Sequence, residues 1–256
     1  MIRALWRIVR LLMWLLRTAF QFKNGANRLP EHQQQHLRDI AAQGLAILNV
    51  KVDIAATSPP QQGVLMVANH VSWLDILAIM AHFPASFIAA KELKNWLIVG
   101  KIIASADTVF IDRSNRKDIE PINAAIAQAL QQGKNVCFFP EARTSLGNGV
   151  LPLKAALFQA AINANAPVQV LALRYYDEQN QRTSQVTFSD TPFFVSLWRI
   201  ARLPEIHLKI NEITLPPPQT LPECDRFVLK DKAQDYLREV VCADSPNPDL
   251  LIKEKP

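Results

Sequence analysis

Only seven glycines and three cysteines are spread over the 256 residues of this chain. The cysteines, Cys137, Cys224 and Cys242, match no metal-ligand spacing and leave one over in any pairing. That excludes a disulfide framework and favours a reduced compartment. Cys137 lies within an apolar strand and reads as core rather than as an activated nucleophile. So little glycine, with 49% hydrophobic residues, suits a packed globular protein. No linker divides the chain and no internal repeat is visible, so the length fits one sizeable α/β domain. Carboxylates are outnumbered by basic residues, for a net charge of +5 and a pI of about 9.2. That balance favours an anionic partner such as a phospholipid surface, a phosphorylated substrate or a nucleic acid.

A long apolar run is also missing. Residues 2–22 are rich in leucine and tryptophan, but arginines stand at 3, 7, 10 and 17, and the longest uncharged stretch between them is Leu11–Leu16. A membrane-spanning helix needs about 20 predominantly apolar residues, which this segment does not supply. The interrupting arginines and the lack of an evident small-residue cleavage site also argue against a signal peptide. At about 100° per residue the four arginines fall within one quadrant of a helix, and Leu5, Leu12, Trp14 and Leu16 cover the rest. The segment therefore reads as a helix lying in a membrane interface, its tryptophans and leucines in the acyl boundary and its arginines at anionic head groups.

Beyond this segment, strands alternate with helices. Strands are expected at 49–54, 64–68, 86–90, 108–112, 135–139, 167–175, 185–189 and 205–213. Helices are expected at 31–47, 72–82, 118–132, 153–165 and 225–242, with Ser72 capping the second of these. The pattern indicates a central, largely parallel or mixed sheet flanked by helices. His32 and His36 share an i, i+4 spacing, but nothing completes a metal site around them. The polar tail from Ala243 reads as loose.

In such sheets, sites gather beyond the carboxyl ends of strands. Charge stands at four of those ends: "NHVSWLD" with His70 and Asp75, "FIDR" with Asp112 and Arg113, "FFPEARTS" with Glu141 and Arg143, and "LALRYYD" with Arg174. One such cluster alone would read as a solvated loop. Four in order suggest a shared pocket. Asp75, one helical turn on, can point back at His70. A carboxylate holding one imidazole nitrogen leaves the other free as a base. No serine or cysteine nucleophile is needed if a substrate hydroxyl is the group deprotonated.

These blocks resemble those of the glycerolipid acyltransferases, the lysophosphatidic acid acyltransferase group. "NHVSWLD" corresponds to their His-x4-Asp motif, "VFIDR" to the second block, "FFPEARTS" to the third and "APVQVLAL" to the fourth, over residues 60 to 175. The resemblance implies a single domain of that type. It also implies His70 as general base, Asp75 as its orienting partner, and direct attack of the acceptor hydroxyl on a thioester without an acyl-enzyme. It further implies a substrate-binding set of Asn69, Lys91, Asp112, Arg113, Glu141, Arg143, Thr144 and Lys154, with Arg113 at the acceptor's phosphate. The donor would be acyl-CoA or acyl-carrier protein, with no metal or organic cofactor.

The third block departs from the family's commonest Phe-Pro-Glu-Gly-Thr-Arg-Ser. Ala142 replaces the glycine, which limits access to a φ > 0 backbone. Arg143 and Thr144 stand in swapped order. Relatives acting on lyso-ornithine lipid share such variants, so the acceptor is either a lysophosphatidic acid, giving phosphatidic acid, or lyso-ornithine lipid or another lysolipid. A lipid-binding protein without chemistry would not need His70 and Asp75 together. A nucleic-acid binder would group its basic residues with aromatics along one face. The expected organisation is a membrane-interface helix over 1–30, the acyltransferase domain over 31–242 and a flexible tail over 243–256. The expected location is the cytoplasmic face of a bacterial inner membrane. An apolar acyl groove is expected beside helix 72–82, near Ile76 and Ile79.

Overall fold

The structure, a computed structural model, describes residues 1–24, 30–55, 61–90, 109–111 and 119–252. Two helices, α1 (Ile2–Asn24) and α2 (Pro30–Leu48), lead into strand β1 (Val50–Ala55). β2 (Leu65–Ala68), α3 (Leu74–His82), β3 (Ser86–Ala90) and β4 (Val109–Ile111) come next. Then come α4 (Ile119–Gln131), β5 (Val136–Phe138), a short 3-10 turn (Ala156–Phe158) and α5 (Gln159–Ala164). The chain ends with β6 (Val168–Tyr176), α6 (Phe193–Arg202), β7 (Ile206–Leu215) and α7 (Arg226–Cys242).

The strands form one seven-stranded sheet in the order β1-β7-β6-β2-β5-β3-β4. All neighbours are parallel except β6 and β7, so the expected mixed sheet is observed. Side chains alternate across it. Met66 and Ala68 of β2, with Leu171, Leu173 and Tyr175 of β6, join a core beneath α1, α2, α3 and α6. Leu65 and Val67, with Val168, Val170 and Ala172, join the opposite core beneath α4, α5 and α7. Both faces of the central strands are covered, which is why "VLMVA" and "PVQVLAL" read as continuous apolar runs. Cys137 is fully buried, as expected, and burial pushes its thiol upward, away from the reactive thiolate.

Three expectations change. Residues 185–189 form no strand. Thr187 Oγ1 donates to the Ser145 carbonyl at 2.5 Å and the Phe188 N–H to the Val71 carbonyl at 2.8 Å, so the segment's bonds go to a loop and not to a sheet edge. α6 is a helix absent from the expected set, although its sequence, FFVSLWRIAR, does repeat at helical spacing, with Ser196, Arg199 and Arg202 on one side and Phe193, Leu197, Ile200 and Ala201 on the other. The tail is pinned over 243–252: the Leu146 N–H donates to the Leu251 carbonyl at 2.8 Å, and Asp244 pairs with Arg182 at 3.1 Å and Arg174 at 3.3 Å.

α1 spans the expected residues, and among the described residues no helix is long and apolar enough to cross a membrane. Its arginines do not act alike. Arg3, Arg10 and Arg17 are exposed, but Arg7 is buried and donates to the carbonyls of Ala201, Leu203 and Pro204, capping the carboxyl end of α6. Trp14 likewise turns inward, its ring against Gly44 of α2.

Candidate active site

β2 lies at the centre of the parallel strands, between β5 and β6, so the loops leaving all three meet at one end of the sheet. Asn69, the first residue past β2, is fully buried. Its amide accepts from the Leu173 N–H at 2.7 Å and donates to the Leu173 carbonyl at 3.0 Å, locking the loop to β6. His70 is next, its Nδ1 at 2.9 Å from Asp75 Oδ2. The Asp75 carboxylate accepts three further hydrogen bonds. The N–H groups of Val71 and Ser72 donate to Oδ2 at 2.7 and 2.9 Å, and the Tyr175 hydroxyl donates to Oδ1 at 2.6 Å. This carboxylate accepts from every neighbour it touches, so Nδ1 is the nitrogen that donates to it and a neutral ring keeps its lone pair on Nε2.

Ser72 is not the side-chain cap of α3. Trp73 occupies the cap position, and the Ser72 hydroxyl only accepts a 3.4 Å contact from the Leu74 N–H. Asp75, in the first turn, reaches back to the N–H groups of Val71 and Ser72 in the loop ahead of the helix, and the helix dipole favours its charge there. One residue thus fixes the loop into α3 and orients a histidine. The His70 ring stacks on Phe139, centroids 3.9 Å apart and planes 13° from parallel, and its side chain is 18% exposed. It is held on one face yet remains reachable.

Glu141 supports the same loop from β5. Its Oε1 accepts the His70 N–H at 2.6 Å and its Oε2 the Leu151 N–H at 2.9 Å. Burial pushes this carboxyl up to about 8, and the neighbouring Asp75 charge adds to the rise against the two N–H groups that lower it. A neutral acid here avoids two charged carboxylates in one dry site. The folded value exceeds the ordinary 4.5, so the native state holds this proton more tightly than the unfolded chain does. The resulting stability is full below pH 4.5 and is lost as pH rises toward 8, roughly 2–5 kcal/mol in all. Urea unfolding at pH 5 and pH 8 should show that decline, and Glu141→Gln should flatten it. An unchanged slope in the variant would assign the pH dependence to other groups.

The glycine-to-alanine departure does not prevent the turn. Ala142 takes φ 61°, and its N–H closes the turn onto the Phe139 carbonyl at 3.1 Å. Left-handed backbone costs a non-glycine residue about 1–2 kcal/mol. Ala142→Gly is therefore expected to raise stability by about 0.5–1 kcal/mol after glycine's own entropy cost, seen as a melting temperature higher by about 1–3 °C. A lower melting temperature would mean the strain is absent.

The remaining expected residues divide. Arg143 is exposed and pairs with Asp190 at 2.9 Å, so its guanidinium reaches across to the turn before α6. Thr144 is half-buried in the same loop. The Lys154 side chain is exposed, and its main-chain N–H donates to the Pro140 carbonyl at 2.9 Å. Lys91, Asp112 and Arg113 lie outside the described residues. Arg174 does not join the pocket. It bonds Asn211 and Asp244, while its neighbour Tyr175, on the opposite face of β6, reaches Asp75. Ile79 is fully buried in the core, whereas Ile76 is half-buried.

Sequence reasoning missed Tyr175 and Ser145. Ser145 donates its N–H to the His70 carbonyl at 2.8 Å. The signal for Tyr175 was strand parity: it shares a face with Leu171 and Leu173, and a hydroxyl on such a face needs a partner. Ser145 carried no such signal. Together these groups form a buried, fully bonded carboxylate, a histidine with one free nitrogen, and a rigid loop around them. That arrangement can take a proton from a hydroxyl.

Comparison with known proteins agrees. A family profile described as Acyltransferase matches residues 49–174. A 1-acyl-sn-glycerol-3-phosphate acyltransferase of Neisseria meningitidis is 43% identical over 240 residues, 93% of each chain. A lyso-ornithine lipid O-acyltransferase of Pseudomonas aeruginosa is 31% identical over 179 residues, 70% of this chain and 68% of that one. The crystal structure of the Thermotoga maritima 1-acyl-sn-glycerophosphate (LPA) acyltransferase PlsC shares the fold. Its TM-score is 0.62, with 20% identity over 92% of this chain and 96% of that one. The chain belongs to the glycerolipid acyltransferase family and is an O-acyltransferase.

Proposed function

We propose that the protein transfers an acyl group from acyl-CoA or acyl-carrier protein to the free hydroxyl of 1-acyl-sn-glycerol 3-phosphate, giving phosphatidic acid. The observation that carries this reading is the His70–Asp75 pair, with Nδ1 held at 2.9 Å and Nε2 left free. It stands in a chain 43% identical to 1-acyl-sn-glycerol-3-phosphate acyltransferases over nearly its full length. Nε2 takes the proton as the acceptor oxygen attacks the thioester carbonyl. The carbon–sulfur bond then breaks, and the thiolate leaves with the proton returned by His70. The reaction so written needs no metal or organic cofactor. Catalysis comes from the base, from holding the two lipids in line, and from donors near the oxyanion.

A second acceptor, lyso-ornithine lipid, is favoured by one observation. Arg143, displaced in the third block, is paired with Asp190, and a cation–anion pair at a site's rim suits a zwitterionic head group. The reading places the enzyme on a membrane, with α1 in the interface of the cytoplasmic leaflet and residues 31–242 as the catalytic body. Purified protein offered labelled oleoyl-CoA with each lysolipid in turn tests it. Phosphatidic acid as the faster product supports the first acceptor. Transfer to lyso-ornithine lipid alone moves the substrate and keeps the chemistry. Silence with both, and again with an acyl-carrier-protein donor, would overturn the reading.

A further inference from the structure

The exposed apolar side chains are not scattered. Among the described residues, sixteen large hydrophobics are exposed; nine stand in residues 1–20 and three on α6. Those three, Phe194, Val195 and Trp198, share one helical face, with Phe194 80% exposed. The only other outward residue on that face is Arg202. α6 packs directly against α1, whose Arg7 caps its carboxyl end. On α1 the buried residues Ala4, Leu11 and Thr18 lie opposite Leu5, Trp6, Leu12 and Leu16, so the packed and exposed faces are distinct.

We propose that α6 is a second membrane-inserting element, beside α1, which seats the catalytic loop at a lipid surface; this rests on the reading of the chain as a lysolipid acyltransferase. Neither helix contains a single Asp or Glu, while Arg3, Arg10, Arg17 and Arg202 are exposed on them. Anionic lipid complements that charge. A second copy of the chain would set arginine against arginine. An apolar patch rimmed by arginines is what an interfacial helix presents to a bilayer.

α6 is also wired to the site. Trp73, three residues past His70, donates from Nε1 to Ser196 Oγ at 3.4 Å, and its ring lies 5.8 Å from that of Phe193. Arg199 donates to the Thr187 carbonyl, and Thr187 donates to the carbonyl of Ser145, which in turn holds the His70 main chain. An α6 seated in the acyl boundary therefore fixes how His70 meets lipids arriving from the side.

The test uses the full chain and the double variant Phe194→Ser/Val195→Ser. Both residues are exposed, so the melting temperature should not move. Removing two inserted side chains should weaken partition into phosphatidylethanolamine vesicles carrying phosphatidylglycerol by about tenfold. Transfer to long-chain lysophosphatidic acid in those vesicles should fall in parallel. Transfer to a short-chain, monomeric lysolipid should stay within about twofold. Unchanged partition would overturn the proposal. So would a wild-type dimer that becomes monomeric in the variant, since a second copy would then cover the face. Equal loss on the monomeric substrate would assign these residues to the catalytic machinery and overturn it too. Wild-type protein that binds vesicles but acylates neither lysolipid would refute the proposed function and leave the partition result standing.

Discussion

Replacing His70 by alanine is expected to lower kcat by about 10²–10⁴-fold. The acceptor hydroxyl is a poor nucleophile until its proton is taken, and among the described residues of the site no other side chain shares the role. Asp75 is buried behind four hydrogen bonds, and both oxygens of Glu141 are engaged by main-chain N–H groups. The fold should survive, because the ring is partly exposed and stacks on Phe139 from one side only. KM for donor and acceptor should change little, since the ring acts on the proton and not on either head group. Steady-state acyl transfer read beside a melting curve checks both points. A variant retaining a tenth of wild-type kcat with an intact fold would remove His70 from the chemistry.

Asp75→Asn is expected to cost nearly as much in rate, about 10²–10⁴-fold, and more in stability. The carboxylate now accepts from His70, Val71, Ser72 and Tyr175. A carboxamide offers one accepting oxygen; placed at the Oδ2 position it keeps His70, Val71 and Ser72, and its NH2 then faces the Tyr175 hydroxyl, which must turn round to accept. Three buried donors then share a neutral and weaker acceptor, at a cost of about 1–3 kcal/mol in all. The imidazole also loses the anion that keeps its proton on Nδ1; in serine-protease triads the same replacement lowers kcat by about 10⁴ through the wrong tautomer. Tyr175→Phe removes one of the four donors and leaves the tautomer in place, so a smaller loss in kcat, about three- to tenfold, should accompany unchanged KM. Activity of Asp75→Asn within tenfold of wild type would mean that the loop backbone alone orients His70.

Much of the fold is legible in the sequence because burial writes itself into the chain. The strand at 86–90 is legible to the residue, and the helices at 31–47, 118–132 and 225–242 to within a residue at each end. β2, β5 and β6 read as continuous apolar runs because both of their faces are covered. His70, Asp75 and Glu141 are legible because charge at the end of an apolar strand has little structural purpose there.

Tertiary structure alone decided the rest. Arg174 and Tyr175 are neighbours in sequence, yet strand parity sends the charged one away from the site and the phenol into it. Which arginines of α1 stay exposed depends on where α6 ends, and Arg7 is consumed by carbonyls almost 200 residues away. The alternation at 185–189 suggested a strand, but strands need an edge to join, and this segment found the Ser145 and Val71 carbonyls instead. Periodicity reports which side of an element is buried. It carries no record of which distant backbone group completes a hydrogen bond, because that depends on where the whole chain has already packed.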